Sequence, residues 1–177
     1  GAFEYSLAID PGNSDIRKNT VSLSKGTVGG SVYGGWNSNG ETTGNFIYVN
    51  GTVSGGVTAG YTLSGDAAGN EVLVEGGTVL DHLYGGYTAL GSATGNVITV
   101  KGGTVNAEMV GGYDDGTATY NTVTLYDSAR FTGSDILWRQ KRRFVLRRVH
   151  RQHLQRVRPD RRRQPAELPE PELLRRG

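Results

Sequence analysis

The sequence predicts an all-β solenoid: a parallel β-helix of the right-handed, three-sided kind, with about five coils of 25–26 residues. Three observations predict it. Asn19, Asn45, Asn70, Asn96 and Asn121 each open a similar phrase, at intervals of 26, 25, 26 and 25 residues. Each phrase holds three short stretches rich in β-branched apolar residues, and glycine punctuates it at two fixed places. Self-similarity at a fixed period in this range marks a solenoid. Alternation of apolar residues within the phrase makes its unit a strand rather than a helix.

The phrase is fullest from Asn96 to Tyr113. With the opening Asn as position zero, position 2 is Val21, Ile47, Val72, Ile98 and Val123, and position 4 is Leu23, Val49, Val74, Val100 and Leu125. Mixed residues stand between them, as in a half-buried strand with these two positions inward. A second stretch, Thr-Val, places Val28, Val53, Val79 and Val105 inward, and a third supplies Val32, Val57, Leu83 and Met109. One unit cannot bury such a face alone. Stacked coils, with strands about 4.8 Å apart, set each position over its counterpart and make it a buried ladder. Backbone N–H and C=O groups then pair from coil to coil.

Gly34-Gly35, Gly85-Gly86 and Gly111-Gly112 follow the third stretch, with Ala59-Gly60 in their place in the second copy. They are expected at a tight corner that needs positive φ. Gly26, Gly51, Gly76-Gly77 and Gly102-Gly103 mark an earlier corner. Trp36, Tyr61, Tyr87 and Tyr113 follow the later pairs and are expected to stack. The opening Asn residues are expected to form a ladder of side-chain hydrogen bonds. Position 5 tests the register: it holds Ser24, Asn50, Glu75, Lys101 and Tyr126, so Glu75 and Lys101 should be surface neighbours.

Between each aromatic and the next Asn lie less regular residues, 37–44, 62–69, 88–95 and 114–120. Loops of constant length on a rigid scaffold are where a solenoid carries recognition; equally, they serve to close the coil. Residues 1–18 read as a partial preceding repeat, in which Phe3 or Tyr5 supplies the aromatic. Asp10-Pro11-Gly12-Asn13 is a turn signal. The oxygens of Asp10, Asn13 and Asp15 raise the question of a Ca²⁺ loop, but their spacing does not match a ligand set of six or more, and a solvated turn is the better reading.

The formal net charge of +2 hides two unlike parts. Residues 1–138 carry 5 Lys/Arg against 13 Asp/Glu, a net of −8; residues 139–177 carry 14 against 4, a net of +10. After Asp135-Ile-Leu-Trp138 the repeat requires Gly-Gly and the sequence reads Arg139-Gln140. From there on Ser, Thr, Asn and Tyr vanish. One reading is a polybasic arm that neutralises the phosphates of nucleic acid or of an anionic membrane. The other, preferred because the change begins where Gly-Gly is due, is a stretch translated out of frame, since Gly codons read one base off give Arg or Ala. The basic tail is therefore expected to be poorly structured, and nucleic acid is not expected as a partner.

Cysteine is absent, which excludes disulfides, thiolate metal sites and a Cys nucleophile. No run of roughly 18 apolar residues could cross a membrane as a helix. Gly1 opens without a basic-then-apolar leader, as expected of a fragment. His150 and His153 stand in the basic tail without an acidic cluster, and alternation sends Asp81 and His82 to opposite faces of a strand. Asp114-Asp115 is a carboxylate pair of the kind glycan-cleaving enzymes use, but before Gly116 it reads as a turn. No catalytic, cofactor-binding or metal-binding residue is assigned.

The segments Thr94-Gly-Asn-Val-Ile-Thr-Val-Lys-Gly-Gly-Thr-Val105 and Leu83-Tyr-Gly-Gly-Tyr87 resemble the passenger-domain repeats of bacterial autotransporters, adhesin-like proteins of type V secretion. The likeness covers residues 19–138. It implies a β-helix rod displayed outside the Gram-negative outer membrane and tethered there by a C-terminal barrel. It also implies an adhesive or structural role toward a host or neighbouring-cell surface, protein or glycan, and no cofactor or catalytic residue. The segments of about ten alternating residues that a barrel needs are not in this sequence, so a fragment of such a passenger is expected. The alternatives are a β-helix carbohydrate-active enzyme, or a nucleic-acid or anionic-surface binder acting through the basic tail.

Overall fold

The computed structural model describes residues 5–6, 9–10, 14–106, 108–114, 117–133 and 136. The basic tail with His150 and His153 lies outside them, as do Phe3, Asn13, Asp115 and Trp138.

The chain enters with β1 (Tyr5–Ser6) and β2 (Ile9–Asp10). The first full turn is β3 (Ile16–Arg17), β4 (Thr20–Leu23), β5 (Thr27–Val28) and β6 (Val32–Asn37). The second is β7 (Thr42–Thr43), β8 (Phe46–Val49), β9 (Thr52–Val53) and β10 (Val57–Thr62). The third is β11 (Ala67–Ala68), β12 (Glu71–Val74), β13 (Thr78–Val79) and β14 (His82–Thr88). The fourth is β15 (Ser92–Thr94), β16 (Val97–Val100), β17 (Gly103–Val105) and β18 (Glu108–Tyr113). A fifth begins with β19 (Thr117–Thr119), β20 (Thr122–Leu125) and β21 (Ala129–Phe131), and touches the fourth sheet through one bridge, Met109 to Ile136.

Each strand pairs in parallel with its counterpart one turn away, giving four stacked sheets, and β1 and β2 both lie on β6. The protein is thus a parallel β-helix, as the period predicts. Its register is the predicted one: Val72 pairs with Ile47 and Ile98, Val79 with Val53 and Val105, and Leu83 with Val57 and Met109. These side chains form one continuous core, wholly buried through the middle turns. The Glu75 carboxylate stands 3.7 Å from the Lys101 ammonium, so position 5 is in register too. Both groups are half exposed, and the pair is worth only about 0.2–1 kcal/mol.

The structure adds a ladder to the three stretches read from the sequence. The loops after the aromatics contain β7, β11, β15 and β19, and Ala67 and Ala93 point from them into the interior with no exposure. Two or three small residues carry no readable period, which hides this sheet from sequence inspection.

The glycine pairs are the main correction. Gly34-Gly35, Gly85-Gly86 and Gly111-Gly112 lie inside strands, and none has positive φ. What they provide is the absence of a side chain. A Cβ on Gly35 would come within 2.9 Å of the Asn45 amide nitrogen, and one on Gly86 within 2.5 Å of that of Asn96. The Asn that opens each turn therefore packs on the glycine pair of the turn before. Left-handed backbone occurs instead at Gly26, Gly77 and Gly103 of the earlier corner, and at Gly44, Gly69 and Gly95 just before the Asn residues. Lys18 and Tyr120 hold this last place in the first and fifth turns, with φ of 58° and 59°.

Candidate binding face

Most buried polar side chains of this rod hold turns together. Asn45, Asn70 and Asn96 are fully buried. The Nδ2 of Asn70 donates to Asn96 Oδ1 at 3.0 Å and to the Thr42 carbonyl at 2.9 Å. Asn96 repeats this with Asn121 Oδ1 and the Ala67 carbonyl. Each Oδ1 also accepts the backbone N–H of the Asn one turn back, as Asn96 does from Asn70 at 2.9 Å. The chain of amides runs one way along the axis, each polarising the next.

A second polar ladder, Asn37, Thr62, Thr88 and Asp114, follows the aromatics and is also buried. Thr88 Oγ1 accepts the N–H of Gly91 at 2.9 Å and donates to the Gly65 carbonyl of the previous turn at 2.7 Å. Thr62 does the same with Gly65 and Gly40. The loops are thus hydrogen-bonded closures. Their sequence signal is a polar residue after each aromatic, with Gly three residues later in the first three turns.

The groups considered for chemistry are engaged in the same way. Asp114 is buried and accepts the Ala93 N–H. Asp15 is exposed, pairs with Arg17, and accepts the Glu41 N–H; that bond, with Arg17 beside it, lowers its pKa from the ordinary value. Asp81 and His82 do not part to opposite faces: Nδ1 of His82 lies 3.0 Å from Asp81 Oδ2. Asp81 precedes β14, so strand alternation does not govern it. Among the described residues no three His, Cys, Asp or Glu side chains converge as a metal site would need.

What the rod presents is aromatic, on the outer side of the β6–β10–β14–β18 sheet. Trp36, Tyr61, Tyr87 and Tyr113 stack as predicted, with centroids 5.8, 4.7 and 5.0 Å apart and planes within 12°. Spacing this close to the strand separation means that the rings stand face to face along the axis, with their edges toward solvent.

A second row was not read from the sequence. The glycine pair breaks the alternation of its strand, both glycines turning inward, so residues three apart share the outer side. Tyr33 thereby joins Trp36, and Tyr84 joins Tyr87. Tyr84 lies 5.6 Å from Tyr113 and 4.6 Å from the His82 ring; Tyr33 meets Tyr61 edge-on. Thr58 and Val110 occupy the same row yet are only 1% exposed, so the neighbouring rings close over them. Burial pushes the Tyr84 phenol well above its ordinary pKa, with Glu108 adding to the effect, and raises that of Tyr61. The signal for this row was a Tyr directly before a glycine pair.

No family model matches the chain, and comparison with curated proteins and with solved structures finds no match either.

Proposed function

We propose that this chain is a length of the displayed rod of an autotransporter-type passenger. It lies outside the Gram-negative outer membrane, has no catalysis of its own, and serves as an adhesive or structural element. The observation that supports this reading best is how the polar residues are used. The Asn ladder and the Asn37–Thr62–Thr88–Asp114 ladder spend their hydrogen bonds joining turn to turn. That design serves an extended, rigid scaffold. The outward chemistry is a strip of tyrosine and tryptophan edges, residue types enriched where proteins meet partners. A host or neighbouring-cell surface, protein or glycan, is the partner such a strip suits.

Surface display is the part that an experiment reaches first. An antibody raised against the full chain should label intact cells that produce the parent protein. Labelling that requires permeabilised cells would refute the reading. For the adhesive role, beads coated with the chain should bind target cells, and the double substitution Tyr33→Ser with Tyr84→Ser should lower that binding.

A further inference from the structure

Asn50-Gly51-Thr52 has the pattern Asn-x-Ser/Thr, and it is the single instance in the 177 residues. We propose that Asn50 is a glycosylation site, with a carbohydrate joined to its side-chain nitrogen and Thr52 supplying the hydroxyl that the transferring enzyme reads. The inference does not rest on the adhesive reading.

The pattern is short, and the structure around it is what singles it out. Among the described residues three asparagines are exposed, Asn39, Asn50 and Asn106. Two residues after Asn39 and Asn106 come Glu41 and Glu108, so Asn50 alone combines exposure with a hydroxyl at the required place. The asparagines that open the turns have an inward aliphatic two residues on, Val21, Ile47, Val72, Ile98 or Val123. Asn45, Asn70 and Asn96 are buried as well.

Asn50 stands at the first corner of its turn, between β8 and β9, and β9 separates it from the aromatic sheet. The backbone there is held by the previous turn. The Asn50 N–H donates to the Leu23 carbonyl at 2.7 Å, and that of Thr52 to the Gly26 carbonyl at 2.8 Å. The side chains are left to the surface. The Asn50 amide lies beside the Tyr48 phenol, and its Oδ1 takes the space that a Cβ on Gly76 would need. Nδ2, the atom to be modified, is more than 4 Å from that point, so it is not the atom packed on the next turn. The Thr52 hydroxyl is half-buried and makes no hydrogen bond to the described residues, unlike those of Thr62 and Thr88, which join turns. Glycine keeps the approach clear. Gly26, which faces Gly51 from one turn back, has nothing within 4 Å of where a Cβ would stand, and Gly76-Gly77 fills the corner one turn on.

The donor is a sugar activated as a nucleotide or lipid diphosphate. Nδ2 forms a bond to the anomeric carbon as the bond from that carbon to the diphosphate oxygen breaks. The diphosphate leaves with the electron pair, the amide gives up one proton, and nothing is oxidised or reduced. Sugars added one at a time and a preassembled oligosaccharide share this chemistry, and the attached mass tells them apart.

The test takes the protein from the cells that produce it and cleaves it after glutamate for mass spectrometry. Glu41 and Glu71 then bound the peptide that carries Asn50, and Asn39 and Asn106 fall in others. An excess equal to one or more sugar residues is expected on the Asn50 peptide alone, as a ladder of masses for stepwise addition and as one step for an oligosaccharide. Asn50→Gln and Thr52→Ala should each abolish it, and Thr52→Ser should keep it. Far-UV circular dichroism shows that each variant is folded. An unmodified Asn50 peptide overturns the proposal. So does an excess that survives Thr52→Ala, or one that appears equally at Asn39 or Asn106.

Discussion

Gly86→Ala probes the packing of each Asn on the preceding glycine pair. The added Cβ would lie 2.5 Å from Asn96 Nδ2, 2.8 Å from its Cγ and 2.9 Å from its Oδ1. Real Cβ atoms essentially never approach heavy atoms so closely, so Asn96 must move. It has nowhere to go at low cost, because its Nδ2 donates to the Ala67 carbonyl at 2.9 Å and to Asn121 Oδ1 at 3.0 Å. Its Oδ1 accepts from Asn70 N at 2.9 Å and from Asn70 Nδ2 at 3.0 Å. Four hydrogen bonds of a fully buried amide are at stake, each with a net value of about 0.5–1.5 kcal/mol and more if a group is left unpaired. Loss of even half of them costs about 1–3 kcal/mol, and more where an amide group is left unpaired, against a total stability of about 5–15 kcal/mol for an ordinary domain.

Gly95→Ala is the control. Gly95 has φ of +66° and open space where a Cβ would go, so the substitution costs only backbone strain, about 1–2 kcal/mol. Urea unfolding followed by circular dichroism and Trp36 fluorescence should rank the wild type first, Gly95→Ala second and Gly86→Ala last. Equal midpoints for the two variants, or Gly86→Ala the milder, would refute the claim that the pair is kept for space rather than for backbone freedom.

Lys18 and Tyr120 hold left-handed φ that other turns give to Gly. Lys18→Gly and Tyr120→Gly should each raise the unfolding midpoint, by up to about 1 kcal/mol once glycine's greater freedom in the unfolded chain is offset. The buried Thr42 hydroxyl has no partner and sits between Ile16 and Ala67, so Thr42→Val should stabilise by about 1 kcal/mol in the same urea assay. Tyr84 and Tyr61 have phenol pKa values raised by burial, so their contribution is fully present below the unfolded value of 10.0 and is lost as pH rises through the folded values. Unfolding midpoints should therefore hold up to about pH 10 and fall above it. Tyr84→Phe and Tyr61→Phe together should flatten the fall.

The inward ladders were legible because position 2 and position 4 alternate with mixed residues in five copies, and a strict period aligns them without further information. Glycine was less legible because it says two things. Gly95 is there for its φ and Gly86 for its missing side chain, and only Asn96, ten residues on and one turn up, decides which applies. The β3–β7–β11–β15–β19 sheet escaped because Thr42–Thr43 and Ala67–Ala68 are too short to show a period. The second aromatic row escaped for a related reason. Strict alternation places Tyr84 and Tyr87 on opposite sides, and only the double inward turn at Gly85-Gly86 brings them together. Asp81 and His82 failed the same rule because the strand begins between them.

The spacing of the copies carries a further physical meaning. From Gly35 to Asn45, Gly60 to Asn70 and Gly86 to Asn96 the interval is ten residues and from Gly112 to Asn121 it is nine, and in each case the amide packs on its glycine. From Asn to the inward Val of the next stretch the interval varies: Asn19 to Val28, Asn70 to Val79 and Asn96 to Val105 span nine residues, Asn45 to Val53 eight. That corner is exposed at Lys25, Asn50, Glu75 and Lys101, so a residue more or less there disturbs no buried partner. In the nine-residue interval Tyr120 replaces the left-handed glycine, and a Cβ on Gly112 would still lie 2.3 Å from Asn121 Nδ2. The unit that repeats is therefore not the phrase read from one Asn to the next. It is the contact between the end of one turn and the start of its successor, which is kept at either interval while the first corner varies.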